Sequence, residues 1–320
     1  MAATKTYRDH LHSQFVDRSV AWSLQELSRD NSSGTLCICL DGMDQGKFAI
    51  PSDASLRASA VRAKHIRPTL KLHGAWCFGW VLDLWILDEP TKHDASCVIE
   101  IVALCLERVY EKSLELGQPM PGTLLLFSDN TVREAKNSVM IGYLNNLVSK
   151  YKMRLTGLLC LRKSHSHDRI DQLWGLLARR ISCCDQLLSP DSVIEIVKHE
   201  LNRKGPKSWI GLNTEIRVNK INAVRSWRQH FTPQKVSLSG GLLEDSTANH
   251  CFLCIARRGR TPQKKLIWFI HPTNISRGSV LTITLGLPSI LFAQICRTAS
   301  PQTSMLEPAQ PQPVAMMLSC

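Results

Sequence analysis

The sequence predicts an α/β fold, a mixed five-stranded sheet with its first three strands antiparallel and helices on both faces. Three observations carry that expectation. Apolar stretches of strand length occur at Thr35 to Asp41, Lys71 to Trp80 and Val81 to Leu87, with no helical pattern between them. From Asp94 the pattern changes to helix, strand, helix, strand, helix, and a parallel crossover needs a helix of that length. The two later strands, Leu124 to Phe127 and Leu155 to Leu161, end in clusters of acids and polar residues, where α/β sheets place their chemistry.

Each element has a local reason. Tyr7 to Arg29 carries Leu11, Phe15, Val16, Val20, Leu24 and Leu27 at helical spacing, and Asp30-Asn31-Ser32-Ser33-Gly34 breaks it. In the first strand Leu36, Ile38 and Leu40 point one way and Cys37, Cys39 and Asp41 the other. An acid on an apolar-lined face is costly unless paired or bound to metal, although Asp41-Gly42 is also a turn signal. Met43 to Ile50 reads as a return segment and Ser52 to Pro68 as a basic loop. The next two strands are rich in Trp and Val, with Gly74 and Gly79 as weak points. Asp94 to Leu116 is a helix that Asp94 caps and Gly117 ends, with Val98, Ile101, Val102, Cys105, Leu106 and Val109 as its stripe. Asn137 to Tyr151 is the following helix.

The helix after the fifth strand offers two acids. Ile170, Leu173, Trp174, Leu177 and Ile181 form its buried stripe. At ~100° per residue Asp168 falls roughly 160° from Ile170, whereas Asp171 falls about 100° away, at the stripe's edge. Asp168 is therefore the cap or solvent residue and Asp171 the inward-reaching candidate. His165 and His167 read either as phosphate contacts or supporting donors, or as exposed loop histidines.

Beyond Ser182 the pattern weakens. Asp191 to Asn202 is a helix capped by Ser189 or Asp191, Arg203 to Gly211 a basic turn, and Ile221 to His230 a short helix. His250 to Arg257 and Lys265 to Ile270 read as strands flanking Arg257-Arg258-Gly259-Arg260. The expected organisation is an N-terminal helical segment at 1–34, a core at 35–182, a smaller basic C-terminal extension at 183–297 and a disordered Pro/Gln tail at 298–320. Only about 34 residues precede the first strand, so a separate N-terminal DNA-binding module is expected to be missing.

The net charge of +12 is concentrated. Leu201 to Val280 holds 14 Lys/Arg against 3 Asp/Glu, while the first 200 residues are nearly neutral. That distribution fits a phosphate backbone or another anionic surface. No signal peptide and no apolar run of about 18 residues is evident, so a membrane span is not expected. Twelve Cys scattered through strands and helices fit reduced thiols in nucleus or cytosol. Cys251-Phe252-Leu253-Cys254 has ligand spacing but no second pair, and reads as a strand rather than a zinc site.

Carboxylates from separate elements suit Mg²⁺ or Mn²⁺, hard cations that take oxygen ligands. Two such ions about 3.5–4 Å apart can stabilise both oxygens of a phosphodiester displacement. Asp41, Asp129 and Asp171 supply the set, with Asn130, Asp44, Asp168, His165 and His167 as supporting or alternative groups. Lys47, Arg133, Lys136 and Arg162, with Arg257, Arg258 and Arg260 further on, are expected to meet nucleic-acid phosphates.

This order of elements, with acids on the first strand, at the end of the fourth and on the helix after the fifth, resembles the RNase H-like fold of DDE/D transposases and integrases. Leu40-Asp41-Gly42-Met43-Asp44-Gln45, Ser128-Asp129-Asn130 with Lys136-Asn137, and His165-Ser166-His167-Asp168-Arg169-Ile170-Asp171 resemble a transposon-derived eukaryotic domain of unknown function. The resemblance spans about Thr35 to Ile181, with a looser echo to about Arg260. It implies metal-dependent cutting or joining of DNA in the nucleus, with Asp41, Asp129 and Asp171 as ligands of two Mg²⁺ or Mn²⁺ ions. Thr131 to Ala135 lacks a glycine- and glutamine-rich turn, and Lys163-Ser164 stands where Gly is usual. The alternative expectation is therefore a domesticated, inactive fold that binds DNA or RNA through its basic C-terminal region. A third is a protein-interaction module using the Trp-rich strands.

Overall fold

The computed structural model describes residues 2–43, 50–53, 70–87, 91–129, 131, 133–151, 153–160, 169–211, 213–231, 251–255 and 266–270. The chain opens with helix α1 (Ala2–Arg29) and a 3₁₀ turn at Asn31–Ser33. Strand β1 (Thr35–Gly42), the short β2 (Ser52–Asp53), β3 (Lys71–Cys77) and β4 (Val81–Leu87) follow. Then come α2 (Ala95–Glu115), β5 (Thr123–Ser128), α3 (Ser138–Lys150), β6 (Leu155–Cys160) and α4 (Arg169–Ser182). The last part contains β7 (Gln186–Leu187), α5 (Pro190–Leu201), α6 (Lys204–Ile210), β8 (Glu215–Ile221), α7 (Trp227–Phe231), β9 (Cys251–Ile255) and β10 (Leu266–Ile270).

The main sheet is mixed, in the order β10-β9-β6-β5-β1-β3-β4-β8. β1, β3 and β4 are antiparallel neighbours, as expected, and β5 and β6 run parallel to β1. Eight strands rather than five make the sheet, because the C-terminal region is woven into it instead of being appended. β8 pairs parallel with β4 at one edge, and β9 pairs antiparallel with β6 to begin the other. The alternation of Ile216, Val218 and the charged residues between them is that of an edge strand, and only Val218 and Ile221 are buried. The segment 203–211, expected as a turn, is mostly the short helix α6, whose Gly211 lies at φ 121°.

Helices cover both faces. On one, α2, α3 and α7 pack on Leu36, Ile38, Leu40, Leu124 and Leu126. On the other, α1, α4, α5 and α6 pack on Cys37, Cys39, Leu125 and Phe127. The alternation read from β1 is thus the division between two cores. Only the last turns of α1 join one: Ala21, Leu24, Gln25 and Ser28 are buried, while Tyr7, Leu11, Phe15, Val20 and Trp22 are exposed. The caps follow the sequence, with Asp94 accepting from Ser96 and Cys97 N–H, Asn137 from Val139 and Met140, and Ser189 from Ser192.

Two buried ion pairs fasten the layers. Asp83 of β4 is fully buried against Arg108 of α2, whose guanidinium lies 4.4 Å from the centre of the Trp85 ring. Glu100 of α2 accepts from Arg225 Nη2 at 2.8 Å and from Trp227 Nε1 at 2.7 Å, which ties the segment after β8 to the helix. Trp76, Trp80 and Trp85 are buried, so the Trp-rich strands present no aromatic docking face. The described free cysteines include Cys37, Cys39, Cys77, Cys97, Cys105, Cys160 and Cys254, all buried as small apolar side chains. No helix among the described residues is long and apolar enough to cross a membrane.

Gly74 is a seat rather than a weak point. A Cβ there would stand 2.7 and 2.9 Å from two ring atoms of Trp174 and 3.2 Å from Ile170 Cδ1, so only glycine lets α4 approach β3 this closely. Gly74→Ala is expected to lose about 1–3 kcal/mol in urea unfolding, the usual cost of overpacking. An unchanged midpoint would show that α4 is not seated on β3 in this way.

Candidate functional site

β1 and β5 are parallel and in register, with Leu40 opposite Ser128, so the next residues, Asp41 and Asp129, leave the same edge of the sheet side by side. Alternation turns both toward the face that α4 covers. Asp171, in the first turn of α4, comes to that same edge from above. The three acids sense one another. Burial, then Asp129, then Asp171 push the Asp41 carboxyl up to about 7. Burial, then Asp171, then Glu134 also raise Asp129. Asp171 is half-buried at the edge of the stripe formed by Ile170, Leu173, Trp174, Leu177 and Ile181, the position expected for it.

Trp174 completes this arrangement. Its Nε1 donates to Asp41 Oδ2 at 2.8 Å, across Gly74, the residue that pairs with Asp41 on β3. The indole fixes one carboxylate oxygen and shields it from water. Trp174 was visible in the sequence only as part of an apolar stripe, because its polar atom shows its use only once α4 lies on β3.

A second group sits at the same edge but on the α2 side. His93 Nδ1 lies 3.0 Å from Glu134 Oε1, and that hydrogen bond holds the Glu134 carboxyl below its usual range. The His93 ring is 4.9 Å from that of His73, which pairs opposite Gly42. Burial and the neighbouring His93 hold His73 down to about 3, so it stays neutral. His73, His93 and Glu134 had no sequence signal: a histidine in a strand, one before a helix cap and an acid in a turn match no motif.

Arg133 is exposed in the turn after β5, as a phosphate contact requires. Lys136 is not. It is 1 % exposed and lies near Cys160, whose thiol burial pushes up to about 12, so the side chain packs inside the sheet edge rather than meeting a strand of nucleic acid. Asn137, its neighbour in the Lys-Asn block, is spent on capping α3. Asp44, Lys47, Asn130, Arg162, His165, His167, Asp168, Arg257, Arg258 and Arg260 lie outside the described residues. So does the Pro/Gln tail.

The basic C-terminal region is partly neutralised. Arg203 pairs with Glu200, Arg217 with Glu215 and Glu111, Lys220 with Asp191 and Arg225 with Glu100. These pairs use acids from α2, α5 and β8, which a count confined to 201–280 partly omits.

The donor set of Asp41, Asp129 and Asp171 is all oxygen and electrostatically frustrated, which is the chemistry a hard divalent cation relieves. Among the described residues, however, no group of three or more His, Cys, Asp or Glu is arranged to hold a metal ion. The acids share an edge and a field without forming a closed ligand cage.

The raised Asp41 carboxyl gives a stability signature. The native state keeps this proton to higher pH than the unfolded chain does, so the associated stability is complete below the unfolded value of about 3.9. It falls as pH rises toward about 7. Asp41→Asn keeps a partner for Trp174 and removes the titration. It is expected to flatten the pH dependence of unfolding and to gain roughly 2–4 kcal/mol over wild type at pH 8 without divalent metal. Parallel pH profiles for the two proteins would overturn this account.

The family model for a domain of unknown function, DUF7869, matches residues 70–244, from β3 to beyond α7. That range contains Asp129 and Asp171 and leaves Asp41 before it. No curated protein and no solved structure matches the chain. The match covers more than half of the 320 residues, and the chain belongs to the DUF7869 family.

Proposed function

We propose that this domain performs metal-dependent phosphodiester cleavage or strand transfer on DNA, as an RNase H-like relative of the DDE/D transposases and integrases, in the nucleus. One observation carries the reading. A carboxyl buried on an apolar face has two further acids as the charges that act on it most strongly. Folding would not gather such groups for stability, because like charges brought together oppose it. The strand arrangement supports the reading: three antiparallel strands come first, two more run parallel to the first, and acids leave the ends of β1 and β5.

In this reading Asp41, Asp129 and Asp171 hold two Mg²⁺ or Mn²⁺ ions. When bound, the metal supplies an activated water or hydroxyl nucleophile and stabilises the leaving oxygen. Trp174 keeps Asp41 oriented by donating to one of its oxygens. Arg133 meets the phosphate backbone from its exposed turn. His93, held by Glu134, stands beside Gly42 at the same sheet edge.

A second reading is an inactive fold that binds DNA or RNA. The observation in its favour is that the described acids form no metal-holding group, and a protonated Asp41 held by Trp174 is a stable alternative to a metal-bound one. The two readings differ in one experiment. Purified protein is incubated with supercoiled DNA and Mg²⁺ or Mn²⁺, and nicked product is followed on gels. The enzyme reading expects nicking that falls at least about 100-fold in Asp129→Asn while DNA affinity stays within about threefold. Wild type that binds DNA but never nicks it with either metal would leave the binding reading. Under either, affinity falls steeply with salt as counterions are released.

A further inference from the structure

An open cleft of about 480 Å³ lies between α1, α4 and α6, lined by Glu26, Arg29, Arg169, Gln172 and Trp209. Arg29 forms its floor. It donates from Nη1 to the Ile210 carbonyl at 3.0 Å and from Nη2 to that of Trp209 at 3.3 Å, and its guanidinium lies 5.5 Å from the centre of the Phe78 ring. Its Nε is buried, 3.4 Å from Glu26 Oε1, without the alignment of a hydrogen bond. Arg169 enters from the first turn of α4, with Nη2 2.6 Å from the same Glu26 oxygen. Trp209 is half-exposed, and Gln172 is exposed at the lip. The described lining therefore combines two planar cations, one carboxylate, one aromatic ring and one amide.

The cation face is under strain of charge. Burial lowers the pKa of Arg29, Glu26 raises it, and the neighbouring Arg169 lowers it again. An added anion would relieve that repulsion. Guanidinium forks match phosphate oxygens in pairs, a ring edge or face accepts a stacked base, and a glutamine amide can both donate to and accept from a base edge. An acidic peptide would satisfy the cations but leave the ring and the amide without a counterpart.

We propose that the cleft is a binding site for a nucleotide unit, with its phosphate between Arg29 and Arg169 and its base against Trp209. Arg169 and Gln172 share the first turn of α4 with Asp171, which lies about 100–160° round the helix from them, so a strand bound here would reach the acidic edge by passing around that turn. That last placement rests on the proposed function; the nucleotide site itself does not.

The test uses the full chain in EDTA, so that no cleavage intervenes, with thymidine 5′-phosphate, thymidine, inorganic phosphate, a 5′-phosphorylated octathymidylate and tetraglutamate as probes in calorimetric titrations. One of the two nucleotides is expected to bind at least about tenfold more tightly than thymidine, phosphate or the peptide. Thymidine 5′-phosphate binding as well as the octamer assigns a free nucleotide; binding of the octamer alone assigns a unit within a strand. Gln172→Glu, an exposed change that adds a carboxylate without removing packing, should weaken binding by about tenfold, and Gln172→Lys should strengthen it. Trp209→Ala should weaken it by about as much. Asp129→Asn should leave it unchanged, so loss of nicking in that variant and loss of binding in the cleft variants report separate sites. The proposal is overturned if neither nucleotide binds, if tetraglutamate binds equally well, or if affinity does not respond to Gln172→Glu.

Discussion

The arrangement depends on one half-buried carboxylate. Asp41 sits on the face of β1 that otherwise packs Cys37 and Cys39 beneath α4, and a charge there must find a donor, a proton or a cation. The fold supplies the donor through a chain of local necessities. β3 places a glycine opposite Asp41, the missing side chain admits the indole of Trp174, and the indole reaches the carboxylate. Each link constrains the next, so the geometry of the acid edge and the seating of α4 are one feature.

Comparison with the other buried acids shows what sets Asp41 apart. Asp83 has Arg108 against it and Arg217 nearby, and Glu100 receives a fork of bonds from Arg225 with a further one from Trp227. Those are structural pairs: the carboxylate is buried and a half-buried guanidinium lies against it, so removing the arginine leaves an unpaired ion. Asp41 has acids as its strongest electrostatic neighbours instead. Asp83, Glu100 and Glu200 are each buried against arginine, whereas Asp41 is left among like charges.

Much of this was legible in the sequence where local rules decide. The alternation in β1 separated the two cores, Asp94 capped the helix it precedes, and the stripe on α4 put Asp171 at its edge. What escaped depends on tertiary partners. β8 is an edge strand whose polar positions hide its alternation, and it is recognisable as a strand only beside β4. Lys136 reads as a surface cation until the turn after β5 folds it inward beside Cys160. The Glu134–His93 pair brings a turn and a pre-helical loop together over a distance that no motif spans.

The basic C-terminal region changes meaning for the same reason. Read as a string, it is a reservoir of positive charge; folded, its strands become edges of the sheet, and Arg203, Arg217, Lys220 and Arg225 meet acids from α2, α5 and β8. The exposed pairs among these, such as Lys220 with Asp191, add about 0–1 kcal/mol each to stability, and all of them reduce the field felt a Debye length away. The long-range attraction for a polyanion is thus weaker than the composition implies, and the proposed function leaves contact to cations at specific places. Arg133 at the turn after β5 is one, and the paired guanidiniums of the cleft are another. Both lie beside elements that carry the acids, β5 in the first case and α4 in the second. In the proposed function, a phosphate chain held at these two places would be drawn across an edge that repels it unless cations intervene, which would make metal a condition of close approach as well as of chemistry.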